Sequence, residues 1–279
     1  SNLMNDYNNI IFIQDQAIAK AYTLEFEEMW SGVFGGNKED NTPHKFNVNG
    51  INMEVYFSPS DQTTSQIINL IESVDKTLEF GLLSFTRDDI SDAIINKDIE
   101  FGVTVRGIIE TEGGTGAEYP NLLAANVNVK SHQGVTHQFH HKYAIADANY
   151  SNDNPAVLTG SHNWSTNAED NSDENTMIIY DQTIANIYLQ EFEKRWNELG
   201  GTTEIDELIK IKVNIFPNPT NGIIDVESDL DIKQIKVYGI TGKHLFSTSK
   251  LNIQIQNKGV YFLKIITNEG NIVRRVVVQ

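Results

Sequence analysis

Two residues with complementary chemistry stand two apart in the run His140-His141-Lys142-Tyr143-Ala144-Ile145-Ala146-Asp147. In a strand, side chains two apart share a face, so His140 and Lys142 point one way and His141 the other. An imidazole beside an ammonium is a poor core pair but a good grip on a phosphate. The ammonium meets non-bridging oxygens, and the imidazole can attack phosphorus. After a second strand comes Gly160-Ser161-His162-Asn163-Trp164-Ser165. Its small residues let backbone approach a ligand closely, and Ser161 and Asn163 join Lys142 as phosphate-binding candidates. Ser172-Asp173-Glu174-Asn175 then supplies a carboxylate, Glu174, that can accept from the other ring nitrogen of His140 and set its tautomer.

The remaining polar clusters read as structural. His141 faces away from the site, His137 reads as a rim residue, and His132 and His162 are candidates for the site mouth. No histidine and carboxylate spacing matches a zinc triad, and with no cysteine there is no thiolate ligand or nucleophile. The run Glu169-Asp170-Asn171-Ser172-Asp173 reads as a solvated acidic loop, lacking the glycine and terminal Glu of a calcium loop. Gly113-Gly114-Thr115-Gly116 is not followed by Lys-Ser/Thr and reads as a flexible loop rather than a phosphate loop.

The elements around these residues come in a repeat. Residues 9–30 match residues 175–196 at one constant offset of 166 residues, pairing Asn9 with Asn175, Asp15 with Asp181, Gln16 with Gln182, Tyr22 with Tyr188, Phe26 with Phe192 and Trp30 with Trp196. Each copy reads as a strand (Ile10–Ile13, Thr176–Tyr180), an Asp N-cap and an amphipathic helix. The first helix carries Ile18, Tyr22, Phe26 and Met29 as its apolar stripe; Ile184, Tyr188 and Phe192 repeat it. Helical periodicity alone does not dictate Asp, Gln, Tyr and Trp at matched places, so two homologous halves are expected. The first copy has almost nothing before it and Asn8 where the second has Glu174. Residues 1–45 therefore read as the remnant of a first half whose body is missing.

Residues 46–199 alternate strands and helices: strands at Met53–Ser58, Thr77–Phe85, Glu100–Ile109, Gln138–Ala146 and Ala156–Thr159, with helices ending near Val74 and spanning Asp88 to Ile95. That alternation predicts an α/β fold, a mixed sheet flanked by helices. The charge of −17 sits mostly here, with eleven Lys/Arg against thirty Asp/Glu in residues 1–199. Such a balance opposes the basic footprint of non-specific nucleic-acid binding. No apolar run approaches the ~20 residues of a membrane-spanning helix, and residues 1–14 lack the pattern of a signal peptide.

His-x-Lys-x4-Asp followed by Gly-Ser-x-Asn resembles the signature of the phospholipase D superfamily. The spacing from Gly160 through Glu174-Asn175 is similar to the small bacterial endonucleases and cardiolipin-hydrolase-like members. The resemblance covers roughly residues 52–196. It implies a mixed sheet flanked by helices, two half-sites meeting across a pseudo-twofold, and a phosphohistidine mechanism with no metal and no other cofactor. It makes His140 the nucleophile or general acid, Lys142 and Asn163 phosphate ligands, Glu174 the orienter of His140, and Asp147 a mainly structural member of the motif. It also implies a phosphodiester substrate, phospholipid or nucleic acid. The mechanism needs two histidines and His44-Lys45 lacks the motif's spacing. A missing first half or a second subunit is therefore expected to complete the site.

Past Lys212 the texture becomes all-β. Residues 200–212 read as a linker and 213–279 as a small sandwich, with hairpins over Ile235–Phe246 and Gly259–Val278. Phe216-Pro217-Asn218-Pro219-Thr220-Asn221-Gly222, Val237-Tyr238 through Gly242, and Gly259-Val260-Tyr261-Phe262 resemble the C-terminal sorting domain of type IX secretion substrates. The resemblance implies the type IX machinery as partner, a secreted or outer-membrane-surface destination, and a Gram-negative source of the Bacteroidetes type.

Overall fold

The computed structural model describes residues 6–100, 103–201, 213–228, 230–240, 242–267 and 271–279. It divides into two compact units, Ser1–Gly201 and Thr202–Gln279.

The first unit opens on helix α1 (Gln16–Trp30), then β1 (Lys45–Val48), β2 (Ile51–Ser58), α2 (Thr63–Glu72), β3 (Thr77–Leu82), α3 (Asp88–Asp98) and β4 (Thr104–Ile109). It continues with α4 (Tyr119–Ala124), β5 (Asn128–Ser131), β6 (Lys142–Ala146), β7 (Ala156–Gly160), α5 (Thr166–Asp170), β8 (Glu174–Tyr180) and α6 (Gln182–Glu198). The eight strands form one mixed sheet in the order β1-β2-β8-β7-β6-β3-β4-β5. β3, β4 and β5 run parallel; every other neighbouring pair is antiparallel. This is the expected α/β architecture of a mixed sheet flanked by helices.

Strand alternation sorts side chains to two cores. Leu78, Phe80, Leu82, Leu158 and Ile178 meet Ile67 and Leu70 of α2, Ile90 and Ile94 of α3 and Leu122 of α4 on one face. Val55, Ile145, Val157, Met177 and Ile179 meet Ile18 of α1 and Ala185, Tyr188, Leu189, Phe192 and Trp196 of α6 on the other. Each large apolar side chain buried this way contributes roughly 1.5–3 kcal/mol. Both repeat helices start as expected: Asp15 accepts from the N–H groups of Ala17 and Ile18, and Asp181 accepts from that of Ile184.

Three expectations change. Ile10–Ile13 is not a strand: residues 8–15 carry no ladder among the described residues, and only Tyr7 bridges to Phe139. The counterpart Thr176–Tyr180 is a strand because β2 and β7 flank it on both sides. The strand expected over Gln138–Ala146 starts only at Lys142, because the preceding backbone bonds elsewhere. Phe139 N–H donates to the Glu110 carboxylate, and His140 N–H to the Tyr7 carbonyl. The strand expected from Glu100 begins at Thr104; residues 101 and 102 lie outside the described residues. Strands β1 and β5 and helices α4 and α5 were not foreseen, being four to six residues long and without a full period to read.

The second unit holds β9 (Val213–Phe216), β10 (Ile223–Ser228), β11 (Ile232–Gly239), β12 (His244–Thr248), β13 (Asn252–Gln254), β14 (Gly259–Thr267) and β15 (Asn271–Val278). They form a three-stranded sheet β13-β10-β9 and a four-stranded sheet β12-β11-β14-β15. Val213, Ile224, Val226 and Ile253 of the first share a core with Val237, Leu263 and Ile265 of the second, the expected sandwich. Residues 202–212 of the expected linker, Thr241 and the turn at 268–270 lie outside the described residues.

Candidate functional site

His140 sits at the mouth of β6, one residue after buried Phe139, and Lys142 begins the strand. The Lys142 ammonium donates to the His140 carbonyl at 3.0 Å. Burial pulls that ammonium down to about 8, against the opposing charge of Glu174. Burial, and then the Lys142 charge, hold His140 below the ordinary imidazole range, which favours the neutral, nucleophilic ring. His141 points the opposite way, buried, with its Nδ1 3.1 Å from the Asn9 amide. The alternation read from the sequence holds even though β6 starts later than expected.

His140 is oriented by Asn8. The ring Nδ1 lies 3.0 Å from Asn8 Oδ1, so Nδ1 is the donor and Nε2 keeps its lone pair. Glu174, expected in that role, makes no hydrogen bond to His140 among the described residues; its charge acts on Lys142 instead. The reason lies in the repeat. Asn8 is the counterpart of Glu174, and the first copy crosses to serve the second. The Tyr22 hydroxyl of the first copy donates to Asn175 Oδ1 at 3.2 Å, and the Tyr188 hydroxyl of the second donates to Asn9 Oδ1 at 2.9 Å. Tyr22 matches Tyr188 and Asn9 matches Asn175, so these bonds are exchanged about a pseudo-twofold. By the same operation Glu174 stands to the first copy as Asn8 stands to the second.

Other candidates fall into supporting places. Asp147 is buried; its carboxylate accepts the N–H groups of Asp75, Lys76 and Thr77 at 2.9, 2.7 and 2.8 Å. It ties β6 to the turn before β3. Ser161 Oγ accepts from the Asn175 backbone at 3.1 Å and side-chain amide at 3.2 Å, which leaves only its hydroxyl proton for a ligand. Asn163 Oδ1 is buried without a hydrogen-bond partner among the described residues. Gly160 is small for a neighbour's sake, not a ligand's: a Cβ there would lie 2.1 Å from the Asn175 carbonyl oxygen.

The histidines expected at the site mouth are buried in carboxylate pairs. His132 Nδ1 lies 2.8 Å from Glu110, and His162 Nε2 lies 3.2 Å from Glu169. Glu110, which stands in no recognisable motif, also receives the Phe139 N–H and so anchors the residue before His140. His137 is exposed, as a rim residue should be. The acidic run 169–173 is not a solvated loop throughout. Glu169 also accepts from Thr64, and Asp173 meets the buried Lys38 ammonium, which pairs with Glu25 of α1 as well. These partners lie over a hundred residues away and left no local signal.

One group of three metal-type ligands occurs among the described residues, Asp40, His44 and Asp61. His44 Nε2 faces Asp40 at 2.9 Å and Nδ1 faces the Val55 carbonyl at 3.0 Å, so both nitrogens are already engaged. A cavity of about 460 Å³ is lined by Ile11, Ile13, Tyr22, Thr159, Ser161 and Asn175.

Residues 67–196 match the family model described as cardiolipin synthase, PLD-like domain, and residues 214–279 match the secretion system C-terminal sorting domain. The mitochondrial cardiolipin hydrolase of Xenopus tropicalis is 30% identical over 141 residues, which is 50% of this chain and 63% of that protein. That of Mus musculus is 28% identical over 165 residues, 58% of this chain and 67% of that protein. The alignment thus spans under two thirds of the first of these relatives. Among solved structures, the phospholipase D family member Nuc from Salmonella typhimurium is 25% identical, with a TM-score of 0.45, over 53% of this chain and 95% of its own.

Proposed function

From a chain that carries a phospholipase D-like domain and a type IX secretion C-terminal sorting domain, we propose a secreted phosphodiesterase that works through a phosphohistidine on His140, without metal, and takes phospholipid as substrate. The observation that carries this reading is the state of His140: its pKa lowered by burial and Lys142, its Nδ1 held by Asn8, its Nε2 free. Lys142 and Asn163 would hold the non-bridging oxygens while Nε2 attacks phosphorus and the leaving oxygen departs. A second histidine, from the other half of the pseudo-twofold, would protonate that oxygen and then take a proton from the water that breaks the P–N bond and releases the phosphomonoester from His140. Glu174 would orient that second histidine as Asn8 orients the first. The acidic balance of residues 1–199 favours a lipid phosphodiester over a polyanionic strand. The sorting domain implies secretion or the cell surface, and we place the mature protein at the outer membrane.

Bis-p-nitrophenyl phosphate isolates the half-site, because p-nitrophenolate leaves without needing a proton. The expected result in excess EDTA is a burst approaching one p-nitrophenolate per chain, with an acid-labile phosphate adduct absent from His140→Ala. A burst that EDTA abolishes, or one that His140→Ala retains, refutes the mechanism. Comparing cardiolipin-containing vesicles with single-stranded DNA then tests the substrate assignment.

A further inference from the structure

His140 takes its orientation from the short segment Tyr7-Asn8-Asn9. Asn8 Oδ1 meets the ring Nδ1 at 3.0 Å, and the Tyr7 carbonyl accepts the His140 N–H at 3.0 Å. Tyr7 is fixed by its N–H, which donates to the Gln138 carbonyl at 2.8 Å, and by the Arg195 guanidinium 4.5 Å from its ring. Past Asn8 the backbone has no ladder among the described residues, and the next tether is the Asn9 side chain. Its amide oxygen accepts from the Tyr188 hydroxyl of α6 at 2.9 Å and from the Thr159 hydroxyl of β7 at 3.1 Å. The amide nitrogen then faces His141 Nδ1, 3.1 Å away. An amide nitrogen only donates, so His141 Nδ1 is the acceptor and the proton of the neutral ring lies on Nε2. Nε2 is buried without a hydrogen-bond partner among the described residues, with the Glu191 carboxylate 3.9 Å away. The amide at Nδ1 and the carboxylate beyond Nε2 call for the same tautomer.

We infer that His141 is a positioning residue for His140: as a neutral acceptor it holds Asn9, Asn9 holds Asn8 in place, and Asn8 fixes the tautomer that keeps the His140 Nε2 lone pair open. The two histidines of the run are joined through residues 8 and 9 rather than through the peptide between them. A second proton on His141 would set N–H against N–H at Nδ1 and break the tether. The charged and titratable groups around that ring are Glu191 and Arg195 of α6, and His140, Lys142 and Tyr143 of its own run. Burial holds His141 below the ordinary imidazole range, opposed by Glu191 and helped by the Lys142 and Arg195 charges, so the ring accepts at neutral pH. The inference deepens the phosphohistidine reading and rests on it for its kinetic arm alone.

The test uses the full chain in three variants. His141→Leu keeps the bulk and loses the acceptor. His141→Asn places an amide oxygen where Nδ1 stood and does not titrate. Asn9→Ala removes the tether from an exposed residue and spares the core. Near-ultraviolet circular dichroism establishes folding. Nitrogen-15 spectra of histidine-labelled protein, at a pH where both rings are neutral, read the His140 tautomer without turnover. The expected result is Nδ1–H on His140 in the wild type and in His141→Asn, with that preference lost in His141→Leu and in Asn9→Ala. The burst with bis-p-nitrophenyl phosphate should slow about ten- to hundredfold in the same two variants, its KM held within a few-fold by Lys142 and Asn163, and recover in His141→Asn. The acid limb of the burst rate should steepen to the slope of two protonations in the wild type and keep the slope of one in His141→Asn. The inference is overturned if His140 keeps its tautomer in Asn9→Ala or in folded His141→Leu. It is equally overturned if His141→Asn behaves as His141→Leu does, or if its acid limb matches that of the wild type. The expected tautomers without any p-nitrophenolate burst would sink the functional reading alone.

Discussion

Replacing Asp147 separates a supporting carboxylate from a catalytic one. Its Oδ1 accepts the N–H groups of Lys76 and Thr77 at 2.7 and 2.8 Å, and its Oδ2 accepts that of Asp75 at 2.9 Å. The residue is 1% exposed, so these donors have little water to turn to if the carboxylate is lost. Hydrogen bonds to a charged acceptor are worth about 1.5–3 kcal/mol each. Three on one side chain are not additive, so Asp147→Ala should cost about 3–5 kcal/mol. Alanine also tolerates the positive φ of 50° less well than Asp. Asn at this position keeps Oδ1 and its two bonds, and should cost about 1–2 kcal/mol. For a unit the size of Ser1–Gly201, the alanine variant should melt roughly 6–20 °C lower. The assay is thermal unfolding by near-ultraviolet circular dichroism beside the burst with bis-p-nitrophenyl phosphate at a temperature where both proteins are folded. The expected pattern is a large fall in Tm with the burst per folded chain kept within a few-fold. A normal Tm with an abolished burst would refute the reasoning and return Asp147 to the chemistry.

Three further outcomes are expected. His140 is held low, so the burst rate should fall only as pH drops through that lowered value; Asn8→Asp puts a carboxylate beside Nδ1, raises the pKa and should move the acid limb up by about one pH unit, read from a stopped-flow pH profile. Lys142 titrates at about 8 when folded and at 10.5 unfolded, so the unfolded chain binds more protons between those values and stability should climb with pH across that window. Lys142→Met should accordingly be more stable at pH 7 by about 1–3 kcal/mol in urea while losing its hold on phosphate, and a less stable variant would contradict the burial argument. Gly160→Ala must push β7 from the Asn175 carbonyl and should cost at least about 1–3 kcal/mol; an unchanged denaturation midpoint would show that the strand yields freely.

Much of the protein is legible in its sequence. The repeated helix, both Asp N-caps, the opposed faces of Lys142 and His141 and the all-β second unit follow from periodicity and residue type, which are local properties of the chain. Composition and spacing also single out His140, Lys142 and Asn163 as candidates for handling a phosphate. Tertiary structure decided who serves whom. Glu174 and Asn8 occupy equivalent places in the repeat, yet His140 takes Asn8 as its partner because the two copies exchange contacts across a pseudo-twofold that no linear spacing reveals. The same holds for Asp147 and the backbone before β3, for Glu110 and Phe139, and for Lys38 with Glu25 and Asp173. Ile10–Ile13 failed as a strand for the converse reason. Its sequence resembles that of β8, but a strand exists only where neighbours accept and donate its backbone hydrogen bonds, and those neighbours are supplied by the fold rather than by the segment.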